Sequence, residues 1–367
     1  MRKILHLTYD MRIGGTEQVI KNIIENVDTS KFESQIYCIE QPLGPWGEQL
    51  EVAGVKIVGT NRQPGFDFNL VKSIRAYIKK CDIDVLHCHQ YTPYIYGVLA
   101  AIGTDTRVIF TEHGRFYPDF GTWKRKLINP LLARMTYQIT SISKATKEAL
   151  IEHENFKRDD IQVIYNSITD VQLRTQPEEV NALRCSLGIS DDAIIFGTIA
   201  RLDPIKNQKM MITAFSRVFL DVPEVILVIV GDGEERLSLE SLVCELGIER
   251  AVIFTGYNAA PYVYLNLMDV YLLSSLSEGT SMTLLEAMAA SKPCIVTDAG
   301  GNAEIVMHDI NGIVTPNDNE NAFANAIGLL ALDKDARVTF GASSRKRFEA
   351  AFEISNMVEQ YQALYEL

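Results

Sequence analysis

The chain has 367 residues, 47% of them hydrophobic and 22% charged, and a formal net charge of -12. That length favours two domains over one core, the composition is that of a globular protein, and the acidic balance argues against a general nucleic-acid binder, whose footprint is basic. No run approaches the roughly 18 consecutive apolar residues of a membrane span, and the opening MRKILHLTYD is too short in its apolar part for a secretory signal.

In chain order, short Val/Ile/Leu runs alternate with helical patterns. Strands are expected at Lys3–Tyr9, Gln35–Ile39, Val55–Gly59, Asp84–His89, Arg107–His113, Gln138–Ser143 and Gln162–Tyr165, with helices at Gly15–Val27, Phe68–Lys80, Pro93–Ile102 and Lys144–His153. Ser167–Glu179 is polar, lacks a period and reads as a linker. The pattern then restarts. Strands follow at Ala193–Arg201, Val225–Gly231, Ala251–Thr255, Val270–Ser274, Cys294–Thr297 and Gly312–Thr315, and helices at Asn207–Phe219, Glu234–Leu246, Ala260–Leu267, Thr283–Ala290 and Ala322–Leu330. Continuous apolar strands between helices imply parallel sheets, hence two α/β, doubly wound domains with ligands beyond the carboxyl ends of the strands, in a cleft between the two. The cysteines Cys38, Cys81, Cys88, Cys185, Cys244 and Cys294 form no C-x-x-C pair; buried free thiols in a reducing, cytoplasmic setting are expected.

Several strand ends carry chemistry. Gly14-Gly15-Thr16-Glu17 opens the first helix, where glycines let the backbone approach a phosphate, or simply make a tight turn with a helix cap. His87 and His89 lie on one face of a strand; a metal would need further ligands, none evident nearby, so a structural role is expected. His113, followed by Gly114, is placed to hydrogen-bond a hydroxyl or move a proton. The stretch from Trp123 through Lys124-Arg125-Lys126 to Arg134 is basic and apolar together; it reads as a solvated helix face or a membrane-surface segment.

In the second half, Arg201 ends a strand and Lys206 follows across a proline turn, so guanidinium, ammonium and helix start can converge on a diphosphate. Gly231-Asp232-Gly233 reads as a tight turn. Glu278 stands before a helix and Glu286 inside it, about 8 Å along the axis from a start near Ser281, with Gly279, Thr280 and Ser281 between. Glu286 also completes a capping box with Thr283, which offers a purely structural account of it. Gly300–Glu304 repeats the pattern of glycine amides and a helix start.

Taken in order, these motifs resemble the retaining family 4 glycosyltransferases (group 1 glycosyltransferases), which have the GT-B fold. The resemblance spans nearly the whole chain and is most specific in the E-x7-E of Glu278 and Glu286. It implies two Rossmann-like domains facing across a cleft: an acceptor domain at 1–170, with a C-terminal helix at about 352–367 crossing back to it, and a donor domain at 171–351. It implies transfer of a hexosyl group from a nucleoside diphosphate sugar, UDP-linked by expectation, to a saccharide or lipid-linked acceptor. Glu286 would hold the ribose. Glu278 and the amides of Gly279, Thr280 and Ser281 would hold the donor sugar, and Arg201 and Lys206 the diphosphate. Gly14 and Gly15 would close onto it, Asn258 would lie by the nucleobase, and His113 would contact the transferred sugar. No metal or other cofactor and no nucleic-acid partner are expected; peripheral contact with the inner membrane is. Asn166-Ser167-Ile168-Thr169 departs from the family's Asn-Gly-(Ile/Val)-Asp, and Thr280-Ser281 from its glycine after E-G-x. The acceptor loop is expected at Arg115–Trp123. A nucleotide-sugar epimerase and a two-domain solute-binding protein are the competing readings; a nicotinamide dehydrogenase is disfavoured by the missing G-x-G-x-x-G.

Overall fold

The computed structural model describes residues 1–114, 121–170 and 175–366. Two compact units emerge, Met1–Ser167 with Ile354–Leu367, and Ile168–Glu353.

The first unit runs β1 (Arg2–Thr8), α1 (Gly15–Asn26), β2 (Phe32–Cys38), α2 (Pro45–Val52), β3 (Lys56–Gly59), α3 (Phe68–Cys81), β4 (Val85–His89), α4 (Tyr91–Ala101), β5 (Arg107–Glu112), α5 (Trp123–Ala133), β6 (Gln138–Ser141), α6 (Lys144–Glu154) and β7 (Ile161–Val163). Its strands form one parallel sheet in the order β3-β2-β1-β4-β5-β6-β7. Every residue of β4 is buried, as a parallel strand covered on both faces requires. Helix α3 shows how the covering layer is specified. Leu70, Val71, Ile74, Ile78 and Cys81 fall on one stripe and are buried, and Asp67 caps the start by accepting from the amides of Asn69 and Leu70.

The second unit runs α7 (Pro177–Ser186), β8 (Ile194–Ile199), α8 (Gln208–Asp221), β9 (Val225–Val230), α9 (Arg236–Glu245), β10 (Val252–Gly256), α10 (Tyr262–Leu267), β11 (Val270–Leu273), α11 (Met282–Ala289), β12 (Cys294–Thr297), α12 (Asn302–Ile305), β13 (Gly312–Thr315), α13 (Glu320–Leu332) and α14 (Lys334–Ala351). Its sheet is again parallel, β10-β9-β8-β11-β12-β13. The last helix, α15 (Ile354–Glu366), belongs to the first unit, where Tyr361 and Tyr365 are buried.

Three expectations change. The polar segment after Asn166 is not a linker as far as Glu179: Ile168 already pairs with Glu353, its amide donating to Phe352 O at 3.1 Å, and α7 starts at Pro177 under a Gln176/Glu179 capping box. Helices α2, α7 and α14 escape the periodicity argument because they bury so little. In α14 only Gly341, Ser344 and Phe348 are buried, too sparse a stripe to register. Cys185 and Cys244 are exposed, whereas Cys38, Cys81, Cys88 and Cys294 are buried free thiols. Among the described residues no helix is long and apolar enough to cross a membrane.

Candidate active site

In each sheet the strand order reverses once, between β1 and β4 in the first and between β8 and β11 in the second. Ligands of such sheets bind beyond the carboxyl ends at that switch point; Lys206 and Glu278 lie there in the second unit and Gly14 in the first, whereas Asn258 follows the edge strand β10.

In the second unit the loops leaving β8 and β11 are joined to each other. Ser274 Oγ donates to Lys206 O at 2.8 Å and the Leu276 amide to Ile205 O at 2.8 Å. This seats Lys206, the last residue of a short 3-10 turn begun by Pro204, so that its Nζ donates to Glu278 Oε1 at 2.5 Å. Ser275 Oγ donates to the same oxygen at 2.6 Å. The Lys206 side chain is 21% exposed and that of Glu278 10%, so Glu278 is not a solvated loop residue. Enclosing either charge alone would cost several kcal/mol; together they neutralise one another. The loop after β12 backs the pair. Gly301 N donates to Glu278 O at 3.2 Å, and Gly300, at φ +55°, lies so close that a Cβ there would stand 1.8 Å from that oxygen. Only glycine fits this approach.

Arg201 stands apart from the pair. Its side chain is 76% exposed, and its Nε donates to Asp203 Oδ2 at 2.8 Å. The convergence of Arg201 with Lys206 expected from the sequence is therefore not formed here, because an aspartate two residues away offers the guanidinium a local partner in water. The capping box also fails. Helix α11 is capped by Ser281, whose side chain accepts from the Leu284 amide at 3.3 Å, so Glu286 lies too deep in the helix for the N3 role. Thr283 Oγ1 instead accepts from the hydroxyl of buried Tyr271 at 2.7 Å. Glu286 is half-buried, and Thr280 and Ser281 are buried. Asn258 follows β10, where its Oδ1 accepts from the Ala260 amide at 2.8 Å, a local turn.

In the first unit Gly14 is the N-cap of α1, a helix start that no side chain caps, and Gly15 is exposed. The Glu17 carboxylate folds over Gly14, where a Cβ would lie 2.3 Å from Glu17 Oε2. Burial pushes that carboxyl up to about 7. His113 follows β5. Its Nε2 meets His89 Nδ1 at 2.9 Å, and His89 Nε2 meets His6 Nδ1 at 3.1 Å. His87 is bonded through Nδ1 to Tyr365 Oη and through Nε2 to Thr111 Oγ1, both at 2.7 Å. Burial drives the His6 and His113 imidazoles down to about 3 and those of His87 and His89 well below the ordinary histidine range. Of the acceptor loop expected at Arg115–Trp123, residues 115–120 lie outside the described residues.

Sequence reasoning missed Glu17 as a carboxyl poised near neutrality, Ser275 as the second donor to Glu278, and His6. No further imidazole was evident near His87 and His89, yet the β1/β4 register sets His6 opposite His87. Nothing in the local pattern around His6 signals this, since a register is a property of two strands.

Two family models match the chain, Glycosyltransferase Family 4 over residues 13–171 and Glycosyl transferases group 1 over residues 180–347. The chain belongs to the group 1, family 4 glycosyltransferases. A curated relative, N-acetyl-alpha-D-glucosaminyl L-malate synthase of Bacillus anthracis, is 28% identical over 82% of this chain and 79% of its own. The UDP-Gal:alpha-D-GlcNAc-diphosphoundecaprenol alpha-1,3-galactosyltransferase of Escherichia coli is 24% identical over 99% and 96%. Among solved structures, Anabaena HepE in complex with UDP superposes over 100% of both chains with a TM-score of 0.88 at 22% identity. The fold of this glycosyltransferase is GT-B, built from two Rossmann-like α/β domains. Membership sets aside the epimerase and solute-binding readings.

Proposed function

We propose that this glycosyltransferase moves a hexosyl group from a UDP-sugar to an acceptor hydroxyl with retention of configuration, in the synthesis of a cell-surface polysaccharide or glycolipid. The observation that carries the reading is the Lys206–Glu278 pair at the β8/β11 switch point, 2.5 Å apart and largely enclosed. An ammonium held there meets the negative charge that grows on a departing diphosphate, without reorganising at the moment of reaction. Glu278, with Gly279, Thr280 and Ser281, takes the donor sugar's hydroxyls; Glu286 takes the ribose, and Asn258 lies by the base. Arg201, free in water but for Asp203, swings onto the diphosphate when the donor binds. Gly14 and Gly15 approach the phosphates, and His113 the transferred sugar. The cations stand where a metal would otherwise neutralise the leaving group, so transfer proceeds in a chelator. HepE is described with UDP-glucose as well as UDP, which supports the choice of base.

For the acceptor, a lipid-linked saccharide is our reading. Two relatives carry diphosphoundecaprenol substrates in their names. On α5, Trp123, Leu127 and Leu131 recur at helical spacing and are exposed, with Lys124 and Lys126 beside them. Such a face suits the surface of an anionic membrane. Arg125 is not part of it, since it pairs with buried Glu154 at 2.9 Å and lies over the Tyr91 ring. The test is a ligand-observed NMR screen of nucleotide sugars, repeated with Glu278→Ala. Loss of sugar-dependent binding with UDP binding kept is the expected result; equal loss of both removes Glu278 from the sugar.

A further inference from the structure

The imidazoles of His6, His89 and His113 form a chain that runs from inside the first sheet to its carboxyl edge. The two contacts are 3.1 and 2.9 Å, and both use ring nitrogens. The rings meet edge to edge through these nitrogens, His6 and His89 at 5.3 Å between centroids with planes inclined by 22°, and His89 and His113 at 5.1 Å with planes inclined by 33°. At the ends, His6 Nε2 and His113 Nδ1 are buried without a partner among the described residues. A metal centre is the obvious alternative, because His6, His87 and His89 place ligand atoms within 4.8 Å of one another. It competes with bonds already made: both nitrogens of His87 are engaged, by Tyr365 and Thr111, and both nitrogens of His89, by His6 and His113.

A neutral imidazole carries one N–H and one lone pair. Two N···N contacts in series are therefore both satisfied in only two ways. Either every ring carries its proton on Nδ1, or every ring carries it on Nε2; any mixture sets N–H against N–H or lone pair against lone pair. A charged ring is opposed by burial at all three positions. The two alignments differ in where the unshared N–H ends up. With protons on Nε2 it sits on His6, which is wholly buried in β1. With protons on Nδ1 it sits on His113, at the sheet edge where ligands of this fold bind. Both end nitrogens are buried, so an arriving ligand decides. An oxygen bound at the sheet edge can accept from His113 Nδ1–H, whereas His6 Nε2–H inside the sheet would stay without an acceptor, the costlier orphan, and the second alignment is preferred.

We infer that His6 and His89 are positioning residues that hold His113 neutral and in the Nδ1–H form, so that it meets its ligand as a hydrogen-bond donor to an oxygen. For the ligand this rests on the reading of His113 as a contact of the transferred sugar; the oxygen is then a sugar hydroxyl. His87, Tyr361, Tyr365 and Glu112 face the chain from β4, α15 and β5. None of them offers a hydrogen bond to the two end nitrogens.

The test is side-chain 15N NMR of the full-length protein near pH 7.5, with the same protein unfolded in urea as the reference for free, mixed tautomers. His6, His89 and His113 should all appear as neutral Nδ1–H forms. His6→Phe, two rings away from His113, should return His113 toward the mixed tautomers of the unfolded chain and lower kcat for transfer about fivefold, with KM for the donor within twofold. His6→Asn, which keeps a polar group near the position of Nδ1, should restore both; it also covers the case in which the Phe variant fails to fold. An unchanged His113 tautomer in a folded His6→Phe protein overturns the proposal. So do mixed tautomers in the native protein, or metal-shifted His6 and His89 signals with one bound zinc per chain. Undiminished transfer by His113→Ala breaks only the sugar-contact reading and leaves the tautomer measurement standing, so the two failures are told apart.

Discussion

The two sheets share a winding and oppose each other in chemistry. At the β8/β11 switch point the second unit holds an enclosed ion pair, Lys206 with Glu278, and an exposed guanidinium at Arg201. At the β1/β4 switch point the first unit holds imidazoles from which burial strips the charge, and a carboxyl, Glu17, pushed toward neutrality. The same topology thus supplies a crevice in each half and leaves its electrostatics to a handful of side chains. A charged half suits a phosphate leaving group; an uncharged half suits hydroxyls, which need direction more than charge.

The largest test of this contrast is acid. His6, His87, His89 and His113 have folded-state values far below the ordinary 6.5. Their stabilising contribution is complete above about 6.5 and is lost as pH falls from there, toward about 3 for His6 and His113, because the unfolded chain takes up protons that the folded one refuses. Urea midpoints at pH 8, 6 and 5 should show stability falling by more than about 4 kcal/mol over the range, at up to ~1.4 kcal/mol per pH unit per histidine. A flat profile would mean that these rings accept charge, and the contrast would go.

Next is the charged half. Lys206→Ala leaves a carboxylate enclosed with Ser275 as its remaining partner and removes the ammonium from the leaving group. Transfer should fall about a hundredfold, near 3 kcal/mol, measured as kcat/KM for the donor with a folding check by thermal melt. Smaller is Glu17→Gln. Glu17 has a raised folded-state value, so its contribution is whole below about 4.5 and is lost as pH rises through about 7. The amide should stabilise the protein at pH 8 by roughly 1–2 kcal/mol and do nothing at pH 4. Arg201→Ala should cost about tenfold in transfer, ~1.4 kcal/mol, with an unmoved melting temperature, since an exposed pair such as Arg201–Asp203 contributes little. Unaltered transfer there would confine the diphosphate contact to Lys206. The smallest effect is expected for Ser281→Ala, which removes the α11 cap for about 1 kcal/mol of stability.

How far the sequence reaches can be followed residue by residue. Strands such as β12 and β13 were legible to their last residue because buried parallel strands are unbroken apolar runs. Gly300 and Glu278 were legible as neighbours of strand ends, and the order of the motifs named the family. The Thr283–Glu286 capping box was a plausible local reading that failed, since the helix begins two residues earlier, at Met282 under Ser281. Helix α14 was illegible because its contacts are few.

By itself the sequence determined two parallel α/β halves, the strand ends that carry chemistry, and the family. Those follow from local pattern, in which each residue's neighbours along the chain set its period and its caps. Tertiary structure decided which of the named groups meet: Lys206 with Glu278 across the two loops, and His6 brought by the β1/β4 register to the histidines of β4. Such pairings depend on strand order and register, and these are settled by packing between segments far apart in the chain.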